Sequence, residues 1–259
     1  MLDLDRARID LWLVFVDDVR DEGLLRCYHA LMTPEEQQQQ GRFYFPVDRK
    51  RYLVTRALLR AVLSRYAAIE PKDWAFVANA YGRPAIANAD QAARRISFNL
   101  SHTNNLILLG VACELAIGVD VENYLVRQPS VEIAERFFAP DEVTDLRAVP
   151  QARRHERLFE YWTLKESYIK ARAMGLSIPL DRFSFHFGGD AGVGLSMDPD
   201  FDDHPSRWRF WQFRPATGYL AAVCVEREAD VIPRLTVRKI IPLAHEEPLE
   251  YARLRTSAI

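Results

Sequence analysis

The sequence has few of the features that mark secreted or membrane-anchored proteins. Its three cysteines, Cys27, Cys113 and Cys224, are odd in number, lie far apart and form no C-x-x-C pair, so a disulfide framework is not expected. No segment approaches the run of about 20 apolar residues that a membrane-spanning helix needs. Residues 1–10 alternate apolar and charged side chains and contain no apolar stretch typical of a signal peptide. We therefore expect a cytoplasmic protein without a membrane partner.

An excess of charge of either sign is also missing. The 34 Lys and Arg residues nearly balance the 36 Asp and Glu residues, the formal net charge is -2, and no long run of like charges occurs. The chain therefore lacks the electrostatic signature of nonspecific nucleic-acid binding, and we expect no nucleic-acid partner. A hydrophobic content of 49% over 259 residues is enough for one large core or for two smaller ones.

The first part of the chain begins with a predicted strand and a long helix. Residues 9–16 alternate apolar and polar side chains as a half-buried strand does, and residues 48–66 place apolar side chains at helical spacing. Gly82 and Pro84 predict a turn, because glycine permits unusual dihedrals and proline cannot donate to a strand partner. The turn is expected to present Arg83 on a loop.

Strands and a second long helix are predicted in the rest of the chain. Residues 95–100 and 106–112 are typical of strands, and the polar residues 101–105 between them are interpreted as a loop. Another strand follows at 115–122. A helix begins at Pro140, a second runs over about 154–173 with Gly175 as its C-cap, and strands are predicted at 183–187, 208–213 and 219–225.

This order of elements predicts an α+β fold made of two similar halves, a pseudo-dimer in which each half has a small antiparallel sheet and a long helix. We place the halves at residues 1–115 and 116–259, the second with a C-terminal extension after about residue 228 that has no functional interpretation. No residue-level repeat supports the division.

Two acidic residues share one face of the strand predicted over 115–122. Asp120 and Glu122 are two positions apart, so both side chains project from the same face, about 6.6 Å apart along the backbone. Their carboxylates can converge on one cation. A solvated strand face explains a lone Asp-x-Glu equally well.

A second charged pair lies on the long helix of the C-terminal half. Glu166 and Lys170 are spaced i,i+4 and share a helix face with Trp162. A surface salt bridge would explain the pair. The apolar neighbours Leu164 and Ile169 indicate a largely buried helix, however, and a charge in such a setting needs a partner, which a metal ion would supply.

The chemistry of these acids favours magnesium over zinc. Carboxylate oxygens that leave room for water and phosphate are the ligands Mg²⁺ prefers, and no Cys/His cluster has zinc-ligand spacing. Ser101 and His102 are able to donate to a phosphate from the predicted loop. Considered one at a time, His102, Arg51 and Arg83 are interpreted as ordinary polar residues.

Taken together, five motifs resemble, in order and spacing, those of the 4'-phosphopantetheinyl transferase superfamily. They are Gly82-Arg83-Pro84, Phe98 to Thr103, Gly118 to Glu122, Arg136-Phe137-Phe138 with Glu142, and Trp162 to Lys170. The resemblance spans about residues 42–225. The two-halved length is similar to the monomeric surfactin-type class, which serves peptide and polyketide synthetases, rather than to the short trimeric class of fatty-acid synthesis.

The resemblance implies a holo-[acyl-carrier-protein] synthase activity. Such an enzyme moves the phosphopantetheine of the co-substrate coenzyme A onto a serine of an apo acyl, peptidyl or aryl carrier protein and releases adenosine 3',5'-bisphosphate. Asp120, Glu122 and Glu166 would hold Mg²⁺, with Mn²⁺ as an alternative ion, against the pyrophosphate.

The remaining site residues follow from the same resemblance. Ser101 and His102 would bind phosphate oxygens, Arg51 the 3'-phosphate, and Arg83 the nucleotide. Lys170 lies at the position of a lysine near the pyrophosphate, where it neutralises or protonates the leaving group.

The serine is a weak nucleophile, so attack on the β-phosphorus needs a base and cancellation of negative charge. The metal, Lys170 and His102 would cancel the charge. The resemblance implies that the base would be Glu166, acting directly or through water, or the residue at the Glu142 position; the sequence does not rank them.

One departure from the family concerns the stretch before the first long helix. Relatives often carry lysines there, whereas this chain has Glu35, Glu36 and residues 37–40, all glutamine. Additional contacts to the 3'-phosphate are therefore not expected.

Carrier proteins are generally acidic, so a docking surface should combine apolar and basic residues, with Arg136, Phe137 and Phe138 as candidates. Two other functions fit the same residues. One is a docking module without turnover, and the other is a Mg²⁺-dependent hydrolase of the coenzyme A pyrophosphate.

Overall fold

A computed structural model describes residues 2–126, 132–189, 191–228 and 231–257. The predicted α+β class is confirmed, and the chain divides into two compact units. Unit 1 comprises Met1–Phe98, Asn105–Glu114 and Pro233–Leu249, and unit 2 comprises Asn99–Asn104, Leu115–Ile232 and Glu250–Ile259.

The helices and strands follow the chain in two series. The first series is β1 (Arg8–Phe15), α1 (Glu22–Leu31), α2 (Pro34–Gly41), α3 (Pro46–Leu63), β2 (Phe76–Ala78), β3 (Pro84–Ile86), α4 (Gln91–Arg94), β4 (Ile96–His102) and β5 (Leu106–Cys113). The second series is β6 (Ile117–Asn123), α5 (Glu132–Phe137), α6 (Pro140–Ala148), α7 (Gln151–Arg172), β7 (Phe183–Gly188), β8 (Gly192–Met197), β9 (Trp208–Arg214), β10 (Tyr219–Glu226), β11 (Arg234–Ile241), β12 (His245–Pro248) and β13 (Ala252–Ser257).

The two long helices were predicted from their apolar spacing and are confirmed with shifted ends. α3 begins at Pro46, because the missing N–H of proline costs nothing at the first helical position, and buries Val54, Leu58 and Val62. α7 ends in a left-handed residue, as many helices do, but that residue is Ala173 (φ 55°) rather than the predicted Gly175.

The two units share a sheet topology. In the five-stranded sheet, of order β12-β11-β1-β5-β4, the first strand of the chain pairs with β5, which neighbours β4. In the six-stranded sheet, of order β6-β10-β9-β13-β8-β7, the first strand of the second series pairs with β10, which neighbours β9. Each series also contains a long helix against its sheet, α3 against β5 and α7 against β6 and β10. The prediction of two similar α+β halves is confirmed at this level.

The residues beyond 228, which the sequence left uninterpreted, form strands in both units. β11 and β12 join the five-stranded sheet, whereas β13 lies between β9 and β8. Two pairs that involve this segment, β1 with β11 and β13 with β8, are parallel, so the sheets are mixed and not purely antiparallel as expected. The predicted division between residues 115 and 116 stays a prediction.

The loop predicted over residues 101–105 is shorter than expected. β4 continues through His102, so Ser101 and His102 lie on the end of a strand. The strand persists because Asn99 and Ser101 of β4, and Thr103 directly after it, all have hydrogen-bonding partners on β6.

A close approach between β6 and α7 depends on Gly118. A Cβ atom at this position would lie 2.0 Å from the Ser167 carbonyl oxygen and 2.3 Å from the Ala171 amide nitrogen. Both atoms belong to the helix backbone, which cannot move aside as a flexible side chain can. Only glycine lets the strand and the helix lie in this register.

We expect Gly118→Ala to lower the free energy of unfolding by about 1–3 kcal/mol or more, because the methyl group overpacks the contact between β6 and α7. Chemical denaturation measures the change. Gly188→Ala is the matched control, since a Cβ at Gly188 meets no atom within 4 Å. An unchanged denaturation midpoint for Gly118→Ala would contradict the packing argument.

Candidate active site

Three side chains of α7 form a partly exposed stripe on an otherwise buried stretch of helix. Trp162, Glu166 and Lys170 recur at every fourth position and are half-buried, whereas Leu164 and Ile169 between them are buried. A four-residue spacing places side chains on one helix face. The functional face of α7 is therefore this stripe.

The acids of β6 lie on the strand face that meets α7. Asp120 and Glu122 are two and four residues beyond Gly118, so the period of a strand puts all three on one face. Both carboxylates are nearly buried, with relative exposures of 4% and 6%. The solvated strand face considered from the sequence is thus wrong, and both acids need partners.

A cleft of about 450 Å³ collects these side chains within unit 2. Its lining residues come from three separate segments, the end of β4, the strand β6 and the helix α7. They are Leu100, Ser101, His102, Asp120, Glu122, Trp162, Glu166 and Lys170. Six of the predicted site residues are brought together, and the lining contains three carboxylates and one ammonium group.

A three-membered hydrogen-bonded cluster lies in this cleft. Lys170 Nζ donates to Asp120 Oδ1 at 2.7 Å and to Ser101 Oγ at 2.9 Å. The Ser101 hydroxyl in turn donates to Asp120 Oδ1 at 2.9 Å. Lys170 is therefore paired with an acid of β6.

The carboxylate of Asp120 has unused capacity for a ligand. Its Oδ2 atom is buried and has no hydrogen-bonding partner among the residues that the structure describes. A buried orphan oxygen is costly unless something binds it. Hard carboxylate oxygens beside a phosphate-sized cleft suit Mg²⁺, so the donor chemistry fits this ion.

The arrangement of the acids is not that of an assembled metal centre. Within the described ranges, no three His, Cys, Asp or Glu side chains are grouped closely enough to hold a metal ion. The ion pair between Lys170 and Asp120 gives a physical reason for this separation of the acids, because the ammonium group already neutralises one of them. The fit to Mg²⁺ therefore rests on donor type and on the orphan oxygen.

Two polar residues of this region were missed in the sequence. Asn99 Oδ1 accepts a hydrogen bond from the Val119 N–H at 2.9 Å, and Thr103 donates to Glu122 Oε2 at 3.3 Å. The signal for them was present, since Asn99, Ser101 and Thr103 alternate as one face of a strand. The interpretation of residues 101–105 as a loop concealed it, because Thr103 was then separated from Asn99 in the predicted strand.

Arg51 and Arg83 lie in unit 1. Arg51 pairs with Asp48 at 2.5 Å on α3. Arg83 is half-buried and donates to the Phe98 carbonyl oxygen at 2.9 Å. Burial lowers the pKa of Arg83. Their predicted contacts with coenzyme A stay predictions.

Glu142 is not among the residues that line the cleft. It is fully buried and pairs with Lys165, also fully buried, at 2.8 Å. Its carboxylate also accepts hydrogen bonds from the backbone N–H groups of Ala139 and Phe185. Burial raises the pKa of Glu142, and the charge of Lys165 opposes that rise. The arrangement is that of a structural ion pair, and its predicted catalytic part stays a prediction.

The motif at residues 136–138 separates into an exposed and a buried part. Phe137 is 46% exposed with Arg136 over its ring, whereas Phe138 is 4% exposed and stacks with Trp162. Phe138 therefore belongs to the core, and its prediction as a docking residue is wrong.

No helix in the described part of the chain is both long and apolar enough to span a membrane.

Comparisons with known proteins match both parts of the chain. A model of the 4'-phosphopantetheinyl transferase superfamily matches residues 116–224, and a model of the N-terminal part of 4'-phosphopantetheinyl transferases matches residues 21–114. 4'-Phosphopantetheinyl transferase Sfp of Bacillus subtilis (strain 168) is 32% identical over 198 residues, which is 76% of this chain and 83% of that protein.

Two further relatives agree. 4'-Phosphopantetheinyl transferase HetI of Nostoc sp. is 34% identical over 65% of this chain and 70% of its own length. A phosphopantetheinyl transferase of Thraustochytrium sp. is 29% identical over 90% of this chain and 85% of its own length. With matches over both halves and the acids, lysine and serine of the motifs lining one cleft, the chain belongs to the 4'-phosphopantetheinyl transferase superfamily.

Proposed function

We propose that this protein transfers the 4'-phosphopantetheine of coenzyme A to a serine hydroxyl of an apo carrier protein and releases adenosine 3',5'-bisphosphate. One observation carries the proposal. The motif residues of three distant segments line a single cleft in which an acid of β6 retains a buried, unpartnered oxygen. Such a site is suited to an anionic substrate accompanied by a cation.

The chemistry of the transfer requires charge neutralisation and positioning more than covalent help. The serine oxygen forms a bond to the β-phosphorus, the bond to the bridging oxygen breaks, and negative charge leaves with the departing nucleotide. Lys170 and His102 supply donors for phosphate oxygens. The Ser101 hydroxyl becomes available to phosphate when its hydrogen bond to Asp120 is exchanged.

Asp120, Glu122 and Glu166 would hold Mg²⁺ or Mn²⁺ in this function. The ion, when bound, would supply charge that polarises the phosphate oxygens and stabilises the departing adenosine 3',5'-bisphosphate. Lys170 is paired with Asp120, so we propose that its ammonium group provides part of the positive charge in the cleft. A lysine freed from Asp120 is then placed to neutralise the leaving group.

We propose Glu166 as the general base, acting on the serine directly or through one water molecule. Glu166 lines the cleft and is half-exposed, so a proton can reach it. Glu142 is enclosed in its pair with Lys165 and has two backbone N–H groups on its carboxylate. A general base must first of all lie within reach of the reacting hydroxyl, and this requirement favours Glu166.

The other substrate contacts extend the proposal beyond the cleft. Arg51 would bind the 3'-phosphate and Arg83 the nucleotide, because a guanidinium group matches phosphate geometry and a phosphate anion would offset the burial of Arg83. Arg136 and the exposed Phe137 would face the acidic carrier protein. We further propose a cytoplasmic monomer that acts on acyl, peptidyl or aryl carriers and binds neither nucleic acid nor membrane.

The function is tested by incubating the protein with coenzyme A, Mg²⁺ and an apo carrier protein, followed by mass spectrometry of both products. Transfer predicts that the carrier serine gains one phosphopantetheine. Free phosphopantetheine without a modified carrier would show a hydrolase instead. An unmodified carrier and intact coenzyme A would leave a docking module as the function.

Asp120→Asn should lower the transfer rate by at least about a hundredfold, because loss of even an outer-shell partner of a metal ligand costs about 10- to 100-fold. The side chain keeps its size, so the melting temperature should stay close to that of the wild type. Steady-state kinetics and thermal denaturation measure the two quantities. Asp202→Asn, at an exposed acid of the same unit, is the matched control. Wild-type turnover in Asp120→Asn would rule out this acid as a ligand.

Glu142→Ala should lower the free energy of unfolding by about 3–5 kcal/mol, because Lys165 is left charged and buried without its partner. The double variant Glu142→Leu, Lys165→Met removes both charges and should recover most of this loss. Denaturant titrations of the single and double variants give the comparison. A double variant less stable than the single one would show that the pair is net stabilising.

A further inference from the structure

The outer edge of β6 is hydrogen-bonded by side chains instead of by a neighbouring strand backbone. On one side β6 pairs with β10 in an antiparallel ladder. On the other side the N–H groups of Val119, Val121 and Asn123 donate to side-chain oxygens of β4 at 2.9, 3.2 and 3.2 Å. The acceptors, in the same order, are Asn99, Ser101 and Thr103.

Two of these side chains repeat the same two-bond unit. The Ser101 hydroxyl accepts from the Val121 N–H and donates to Asp120, the residue before Val121. The Thr103 hydroxyl accepts from the Asn123 N–H and donates to Glu122, the residue before Asn123. A shift of two residues along both strands converts one unit into the other.

The hydroxyl group explains why this unit orients a carboxylate. A hydroxyl has one proton and two lone pairs. Because the backbone N–H occupies a lone pair, the proton is directed elsewhere, and the nearby Glu122 Oε2 receives it at 3.3 Å. Both Thr103 and Glu122 are nearly buried, at 7% and 6% exposure, so water competes little for this bond.

We infer that Thr103 is a positioning residue that holds Glu122 in the orientation the transfer reaction uses. Thr103 does not line the cleft, whereas Ser101 does and also accepts from Lys170. Thr103 therefore acts on the reaction through Glu122. The inference rests on the proposed function, in which Glu122 is a ligand of the divalent ion.

Three variants separate positioning from a purely structural role at the strand edge. Thr103→Val keeps the shape and removes the hydroxyl, and Thr103→Ser keeps the hydroxyl. Asn99→Leu removes another acceptor of the same edge, one that bonds a backbone N–H and not a carboxylate. Loss of either acceptor leaves a buried N–H unpaired, so both Thr103→Val and Asn99→Leu should lower the melting temperature.

The readout is the affinity for Mn²⁺, measured from the electron paramagnetic resonance signal of the free ion in the presence of coenzyme A and without a carrier protein. We expect Thr103→Val to bind Mn²⁺ about tenfold more weakly than the wild type, in the range known for residues that hydrogen-bond to metal ligands. Thr103→Ser should restore the affinity to within about twofold. Asn99→Leu should bind Mn²⁺ as the wild type does.

Equal Mn²⁺ affinity in Thr103→Val and the wild type would overturn the inference, as would an equal loss in Asn99→Leu. Absence of Mn²⁺ binding to the wild type would also overturn it, because Glu122 would then hold no ion. The proposed function is judged separately, by transfer to an apo carrier in the wild type. A wild type that binds Mn²⁺ but transfers nothing would refute that function while the comparison of affinities still decides the role of Thr103.

Discussion

The close approach of β6 to α7 at Gly118 is the constraint on which the site depends. A strand normally stands off from a helix by the length of its side chains. Here the helix backbone lies where a Cβ would be, so the residues just beyond Gly118 along the strand reach the face of α7 that carries Glu166 and Lys170. Short side chains such as Asp120 can then meet Lys170 directly. A wider spacing would remove that contact.

Two lysines of α7, five residues apart, show how burial separates structural from functional charge. Lys165 is fully buried and satisfied by Glu142 and by the carbonyl oxygens of Leu180 and Phe183. Every donor has a fixed partner, so this group has no freedom to respond to a substrate. Lys170 keeps 26% of its side chain exposed and holds Asp120 at the wall of the cleft. A partner there can be exchanged when an anion arrives, because solvent and substrate have access to the pair.

The repeated topology explains where the cleft residues come from. In each half the first strand pairs with a later one, β1 with β5 and β6 with β10, and a long helix packs against the sheet. In unit 2 this first strand is β6, and the N–H groups on its outer edge would remain unpaired without Asn99, Ser101 and Thr103. Two of these side chains, Ser101 and Thr103, also donate to the carboxylates of Asp120 and Glu122. Stability of the strand edge and orientation of the site are thus supplied by one set of hydrogen bonds.

The sequence by itself determined the elements and the chemistry of the candidate residues. Apolar spacing specified α3 and α7, period-two alternation specified β1, β6, β7, β9 and β10, and the i,i+4 relation put Glu166 and Lys170 on one helix face, because these are local properties of the chain. The motifs identified the family for the same reason, since they are short and ordered.

Only the tertiary structure decided which charges meet. Glu142 and Lys170 are both charged and both belong to family motifs, yet one is enclosed in a buried pair and the other lines the cleft, a difference that depends on packing between distant segments. The strand character of Ser101 and His102 likewise depends on β6 lying beside β4. The hydrogen bonds that Asn99 and Thr103 accept from β6 depend on the same arrangement. The strands beyond residue 228 were not foreseen because their partners, β1, β8 and β9, lie far away in the sequence. Pairing over such distances leaves no local pattern to read.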